Sequence, residues 1–288
     1  MLIIFDKPGQ LCNRLWSYAP FISYSMCNKV NLRILFFQEY KGLFDNSLSF
    51  KNIRFSKNNK LINLIIKLFV NNLQYLPKGL LSFFNFKLIE SIDFSNGLLR
   101  YDPSLKNKIY FLSSWLAPKP PITSVNRKQI INFFRPNKQD REIVDQWLIP
   151  LKKKYTSIVG IHIRRGDYKE YYGGKFYYTD VTYKNIMKQI FKQSSGKVCF
   201  VICSNDQINY EVFSGLTTVQ HGKSAIQDLY ILSQCDYIVG PPSSFSMWAS
   251  FYGQVKIKFI VDPDEKINIK DFSPIVQQNM LANGKPWI

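Results

Sequence analysis

The apolar positions keep one rhythm at the start of the chain, lose it, and then take up another. Leu2–Phe5 is a short apolar run closed by Pro8-Gly9, the stretch NRLWSYAPFISYSM after it has helical spacing, and VNLRILFF is a second β-like run. Strand, loop, helix, strand is how an α/β domain begins. Residues 41–125 have no such order: basic, Phe-rich and Leu-rich pieces alternate with Asn, Pro-Lys-Gly and Asn-Gly, and a mixed, mostly helical segment is expected. Inside it, LINLIIKLFV at Leu61–Val70 is broken by Lys67. It reads first as a core helix and second as a helix lying at a membrane interface.

A charged helix over Lys128–Leu151 leads to a proline and the solvated LKKKY, which predicts a domain boundary at 150/151. Beyond it the alternation is regular. SIVGIHI, KVCFVICS, YIVG and VKIKFIVD read as buried strands, with TYKNIMKQIFKQ, AIQDLYILSQ and SFSMWASFYG as the helices between them. Parallel strands need a crossover helix each, so residues 151–288 are expected to form a doubly wound parallel sheet. Residues 1–150 then form a first α/β domain with a basic, aromatic-rich insertion at 41–125.

Charge sharpens this division. The chain carries 38 Lys+Arg against 20 Asp+Glu, and 21 of those basic residues but only 9 of the acids lie in residues 1–150. From Lys41 to Lys87, eight Lys/Arg face one acid, Asp45. That excess fits a polyanion or an anionic lipid surface. A nucleic-acid-binding protein is the alternative it allows, but no binding module is recognisable, and such binding would weaken steeply with salt. Five cysteines without a C-x-x-C, and only two histidines, argue against a zinc site or a disulfide framework. The opening MLIIFDKPG is too short and lacks the basic start of a signal peptide, and no apolar run spans a bilayer, so a cytoplasmic protein is expected.

In an open parallel sheet, ligands bind at the carboxyl ends of the strands. Three polar clusters are predicted at that edge: HIRRGD at His162–Asp167, Ser204-Asn205-Asp206, and Pro241-Pro242-Ser243-Ser244. Guanidinium is planar, permanently charged and bidentate toward phosphate, so Arg164 and Arg165 could neutralise a pyrophosphate without a metal. Ser243 and Ser244 add hydroxyls and the free N–H groups of a helix start. Asp206 and Asp228 are acids available to a base or a sugar. Each has a plainer reading: an arginine paired with Asp167, a structural His162, Asp228 bonding a loop, serines that only cap a helix. Arg165-Gly166-Asp167 as an adhesive tripeptide is disfavoured because it directly follows a buried strand. Asp262-Pro263-Asp264 matches a metal-binding D-x-D in form, but the proline suggests a turn.

H-x-R-R-G-D-Y at His162–Tyr168, S-N-D at Ser204–Asp206 and DLYILSQCDYIVGPPSSFSMWASFYG at Asp228–Gly253 resemble the donor-site motifs of the α-1,2-fucosyltransferase family (glycosyltransferase family 11), and GQLCNRLWSYA resembles its glycine-rich opening. The resemblance covers residues 1–35 and 155–255. It implies a GT-B-type glycosyltransferase of two Rossmann-like domains, the first on the acceptor side and the second holding the GDP-sugar. The reaction it implies is inverting, metal-independent transfer of L-fucose from GDP-fucose to a glycan hydroxyl, galactose O-2, with no cofactor beyond the donor substrate. Arg164 and Arg165 are implied at the phosphates and Asp167 as a brace of their loop. Ser243, Ser244 and Phe245 are implied at the pyrophosphate end, and His162, Asn205, Asp206 and Asp228 around ribose and guanine. Glu170 and Asp180 are the candidate bases. Cys12, Arg14, Pro242 and Met247-Trp248 depart from the family pattern, which leaves another linkage as the alternative. With the basic first half, the expected setting is peripheral, at a cytoplasmic membrane face.

Overall fold

The computed structural model describes residues 1–45, 50–56, 61, 64, 65, 68, 69, 72, 86–89, 109–115, 119, 122 and 124–283. The chain divides into two compact units, Met1–Asn137 and Lys138–Ile288.

In the first unit, strands β1 (Leu2–Ile4), β2 (Leu32–Ile34), β3 (Ile53–Phe55), β4 (Phe86–Ile89) and β5 (Ile109–Leu112) form one parallel sheet in the order β3-β2-β1-β5-β4. Helix α1 (Leu11–Asn28) is the expected crossover from β1 to β2 and is buried along most of its length. A short helix α2 (Gln38–Lys41) and helix α3 (Ser124–Phe133) complete the described elements. Three strands thus come from the stretch expected to be mostly helical. Runs as short as IRF, FKLI and IYFL are below the length at which periodicity separates strand from helix. Leu61, Leu64, Ile65, Leu68 and Phe69 are helical but at least 45% exposed, so this is not the core helix first expected.

Arg14, one of the departures from the family pattern, is 2% exposed on α1. A charge this deep must be paired and hydrogen-bonded. Arg14 donates to Glu39 at 2.8 Å and to the carbonyls of Phe36 and Gly9, and it lies over the Tyr40 ring. Its partners hold Glu39 below the usual carboxylate range, the hydrogen bond from Arg14 being the main cause.

The second unit opens with α4 (Lys138–Lys154), followed by β6 (Ser157–Ile163), α5 (Asp180–Gln193), β7 (Val198–Ser204), β8 (Thr218–Val219), α6 (Ala225–Ser233), β9 (Tyr237–Gly240), α7 (Ser244–Gly253) and β10 (Lys256–Phe259). A small antiparallel pair, β11 (Ile275–Gln277) and β12 (Met280–Leu281), ends it. The sheet order is β10-β9-β6-β7-β8, all parallel. The unit begins thirteen residues before the expected boundary, because α4 bonds within it: Gln227 donates to Asp140 at 2.8 Å, and Trp147 stacks on His221. The sequence pattern marks α4 as a helix but not which sheet it covers.

The strand period places the site. Along β6, Val159, Ile161 and Ile163 pack with Tyr183, Ile186, Met187 and Ile190 of α5. Successive side chains alternate faces, so Gly160 and His162 point the other way, where a Cβ on Gly160 would meet Leu232 of α6. Helices therefore cover both faces, as the doubly wound reading requires. A Cβ on Gly240 would lie 2.6 Å from the His162 carbonyl oxygen and 2.9 Å from its Cβ. Backbone cannot yield as a flexible side chain does, so Gly240→Ala is expected to destabilise by about 1–3 kcal/mol. Chemical denaturation should show a lower midpoint at unchanged slope.

Candidate functional site

β6 is the middle strand, flanked by β9 and β7, so the loops after these three strands share one edge of the sheet. His162, one residue before the end of β6, is buried on the α7 face. Its Nδ1 lies 3.3 Å from the buried Ser246 hydroxyl, and its ring is 5.2 Å from that of Phe245. Burial, with the Arg164 charge second, pushes its pKa down to about 3, so it is a neutral imidazole at all ordinary pH.

The two arginines divide. Arg165 is paired with Asp180, the first residue of α5, and donates to the Gln207 carbonyl at 3.4 Å. Both members of that ion pair are largely shielded from water. Arg165 therefore holds its loop to α5 and is not free to form half of a two-arginine clamp. Asp180, so engaged, is not a free base. Arg164 pairs with Asp167 at 2.8 Å and lies over the Tyr168 ring. Among the described residues Asp167 alone accepts from its side chain, and Asp167 is mostly exposed. Arg164 is the cation presented at the rim.

Other predicted residues divide the same way. Asn205 accepts from the Arg165 backbone N–H at 2.9 Å and donates back to the Arg165 carbonyl at 3.4 Å, so it joins two loops. Asp206 caps its own turn by accepting from Gln207 N–H and is exposed. Glu170 is exposed on the loop after β6. Ser243 caps α7, accepting from the Phe245 N–H at 3.2 Å, and with Ser244 and Phe245 it forms that helix's first turn. Asp262 and Asp264 form the expected turn, with the Asp264 N–H donating to the Asp262 carboxylate at 3.0 Å.

Asp228, in the first turn of α6, is the most perturbed carboxylate of the unit. Burial raises its pKa to about 6, against a smaller lowering from the Cys203 thiol. Its Oδ1 is buried with no hydrogen-bond partner. Gly222 makes room for it, since a Cβ there would fall 1.5 Å from that oxygen. His221, the neighbour of Gly222, also has a buried Nε2 without a partner, while its ring stacks on Trp147 at 4.9 Å. Unsatisfied buried polar atoms are rare in folded proteins and often mark places where a ligand completes the bonding. Sequence reasoning missed His221, Asp180 as the partner of Arg165, and Tyr168, whose hydroxyl donates to the Pro242 carbonyl and ties the first rim loop to the third. Tyr168 closes the H-x-R-R-G-D-Y motif, but nothing in the sequence gives it this tie, and no motif marks His221 or Asp180. A separate cavity of about 620 Å³ along β10, lined by Lys258, Phe259, Glu265 and Lys270, shares no residue with this rim.

Residues 127–268 match the family model described as Glycosyl transferase family 11. No curated protein matches the sequence. Three solved structures share the fold. Fucosyltransferase NodZ from Bradyrhizobium is 15% identical, with a TM-score of 0.58 over 92% of this chain and 96% of its own. A mutant of Arabidopsis thaliana FUT1 in complex with GDP is 12% identical, with a TM-score of 0.57 over 96% and 74%. POFUT1 in complex with GDP-fucose is 10% identical, with a TM-score of 0.56 over 88% and 94%.

Asp228 makes stability depend on pH. Its folded pKa is raised, so between pH 3.8 and about 6 the native state binds more protons than the unfolded one, and stability falls as pH rises through that window. His162 slopes the other way, losing stability as pH falls below its ordinary 6.5. Asp228→Asn should therefore be more stable than wild type at pH 8 by up to about 3 kcal/mol, a gap that closes toward pH 4. Denaturation at the two pH values checks the sign.

Proposed function

From a chain whose residues 127–268 match the family model Glycosyl transferase family 11, we propose a GDP-fucose-dependent fucosyltransferase. The observation that carries the reading is the meeting, on one sheet edge, of an arginine whose carboxylate partner, Asp167, is mostly exposed with the first turn of α7. Arg164 takes one face of the diphosphate, and the N–H groups and dipole of α7, with Ser243 and Ser244, take the other. Asp228, through its unpartnered oxygen, accepts hydrogen bonds from the donor's guanine or ribose, and His162, held neutral, keeps the first turn of α7 in place.

The acceptor hydroxyl oxygen attacks C1 of fucose as the bond from C1 to the phosphate oxygen breaks. The electron pair leaves with GDP, and the configuration at C1 inverts. C1 carries oxocarbenium character, so the main demand on the protein is to stabilise charge on the leaving diphosphate. Arg164 and the helix start meet it without a metal. With bond breaking ahead of attack, the hydroxyl proton is released late, to solvent or to the exposed Glu170. The acceptor is a glycan and the linkage α-1,2 to galactose, on the family resemblance.

Calorimetric titration with GDP and GMP in EDTA tests the donor site. GDP should bind far more tightly than GMP. Arg164→Ala should weaken GDP by about a hundredfold. Arg165→Ala should lower GDP affinity and also destabilise by about 2–4 kcal/mol, because it leaves Asp180 shielded and unpaired. Binding that needs added manganese, or an Arg164→Ala variant that binds GDP like wild type, overturns the proposal. Transfer from GDP-fucose to a galactose-terminated acceptor, with the product anomer read by NMR, tests inversion and linkage.

A further inference from the structure

The first unit carries an apolar face that donor binding does not use. Leu61, Leu64, Ile65 and Leu68 are helical and 66%, 50%, 55% and 53% exposed, and Phe69 beside them is 45% exposed. Their spacing, i, i+3, i+4, i+7, i+8, puts all five on one stripe of a helix. Exposed apolar residues scattered singly are ordinary, whereas a contiguous stripe marks a surface that another phase or partner covers.

The charge around it narrows what that partner can be. From Lys41 to Lys87 the sequence has eight Lys/Arg and one acid, with Lys57, Lys60 and Lys67 before and within the stripe, and Lys51 and Arg54 are exposed. The partner must offer an apolar phase and negative charge together. A second copy of this chain would bring the same net +18 to the contact, and a nucleic acid offers charge but no apolar phase. An anionic bilayer surface offers both. We propose that the face formed by Leu61, Leu64, Ile65 and Leu68 docks this protein on anionic membrane, with the helix lying along the interface. Among the described residues no helix is long and apolar enough to cross a membrane.

The test is flotation of the full chain with phosphatidylcholine vesicles, with and without phosphatidylglycerol, at low and physiological salt. Wild type should float only with the anionic vesicles, and less as salt rises. Leu64→Ser/Leu68→Ser should lower the partition coefficient by about tenfold or more, and Lys57→Gln/Lys60→Gln/Lys67→Gln should do the same by removing the electrostatic part. Both variants should keep wild-type GDP affinity, which separates loss of docking from misfolding and from failure of the donor-site reading. Wild type that ignores both vesicle types, or a serine variant that floats as well as wild type, overturns the proposal. So does a concentration-dependent dimer in sedimentation that the serine variant abolishes, which would assign the face to a second copy.

Discussion

The loop after β6 turns on the contact between the Arg165 guanidinium and the Asp180 carboxylate. Taking both groups out of water is unfavourable, and their attraction offsets it only with good geometry and further hydrogen bonds. Those bonds come from the Gln207 carbonyl and from Asn205, which grips the Arg165 backbone from the next loop. The strand alternation fixes the outcome. Ile163 packs toward α5 and Arg165 continues on that side to reach the first residue of α5, while His162 points to α7. Arg164 is left between them at the rim because its neighbours are committed on either side.

Much of this was readable from pattern. The second sheet, its helices and the three rim loops follow from strand and helix periods. The allocation of the arginines was not readable, because Arg165 and Asp180 are fifteen positions apart and only the fold sets which carboxylate it meets. The same holds for Asp228, whose burial depends on how closely Gly222 lets the chain approach it. Short strands such as IRF escaped detection for want of length. The stripe at Leu61–Phe69 was recognised as apolar, but periodicity cannot say whether an apolar face looks inward or outward.

The site also handles ionisation by burial. His162 is kept neutral by desolvation, and Asp228 is moved to the edge of neutrality by the same cause. His162 contributes no charge near neutral pH, and Asp228, mostly ionised there, is buried on α6, so the positive field that an anion meets comes from Arg164 and the dipole of α7. In the first unit the buried Arg14 is instead enclosed by Glu39 and two carbonyls. That difference separates a charge that secures a helix from one kept open for a ligand.

The Arg164–Asp167 pair means that the rim already contains its own anion. On the proposed reading, a diphosphate arriving there would exchange with the Asp167 carboxylate and would not fill a bare cationic hole, so part of the attraction would be cancelled by the pair it breaks. The carboxylate is exposed, stays tethered three residues away, and can return as the diphosphate departs. An internal counterion of this kind lowers the ground-state grip on the nucleotide and favours its release, so a residue that weakens binding can raise turnover.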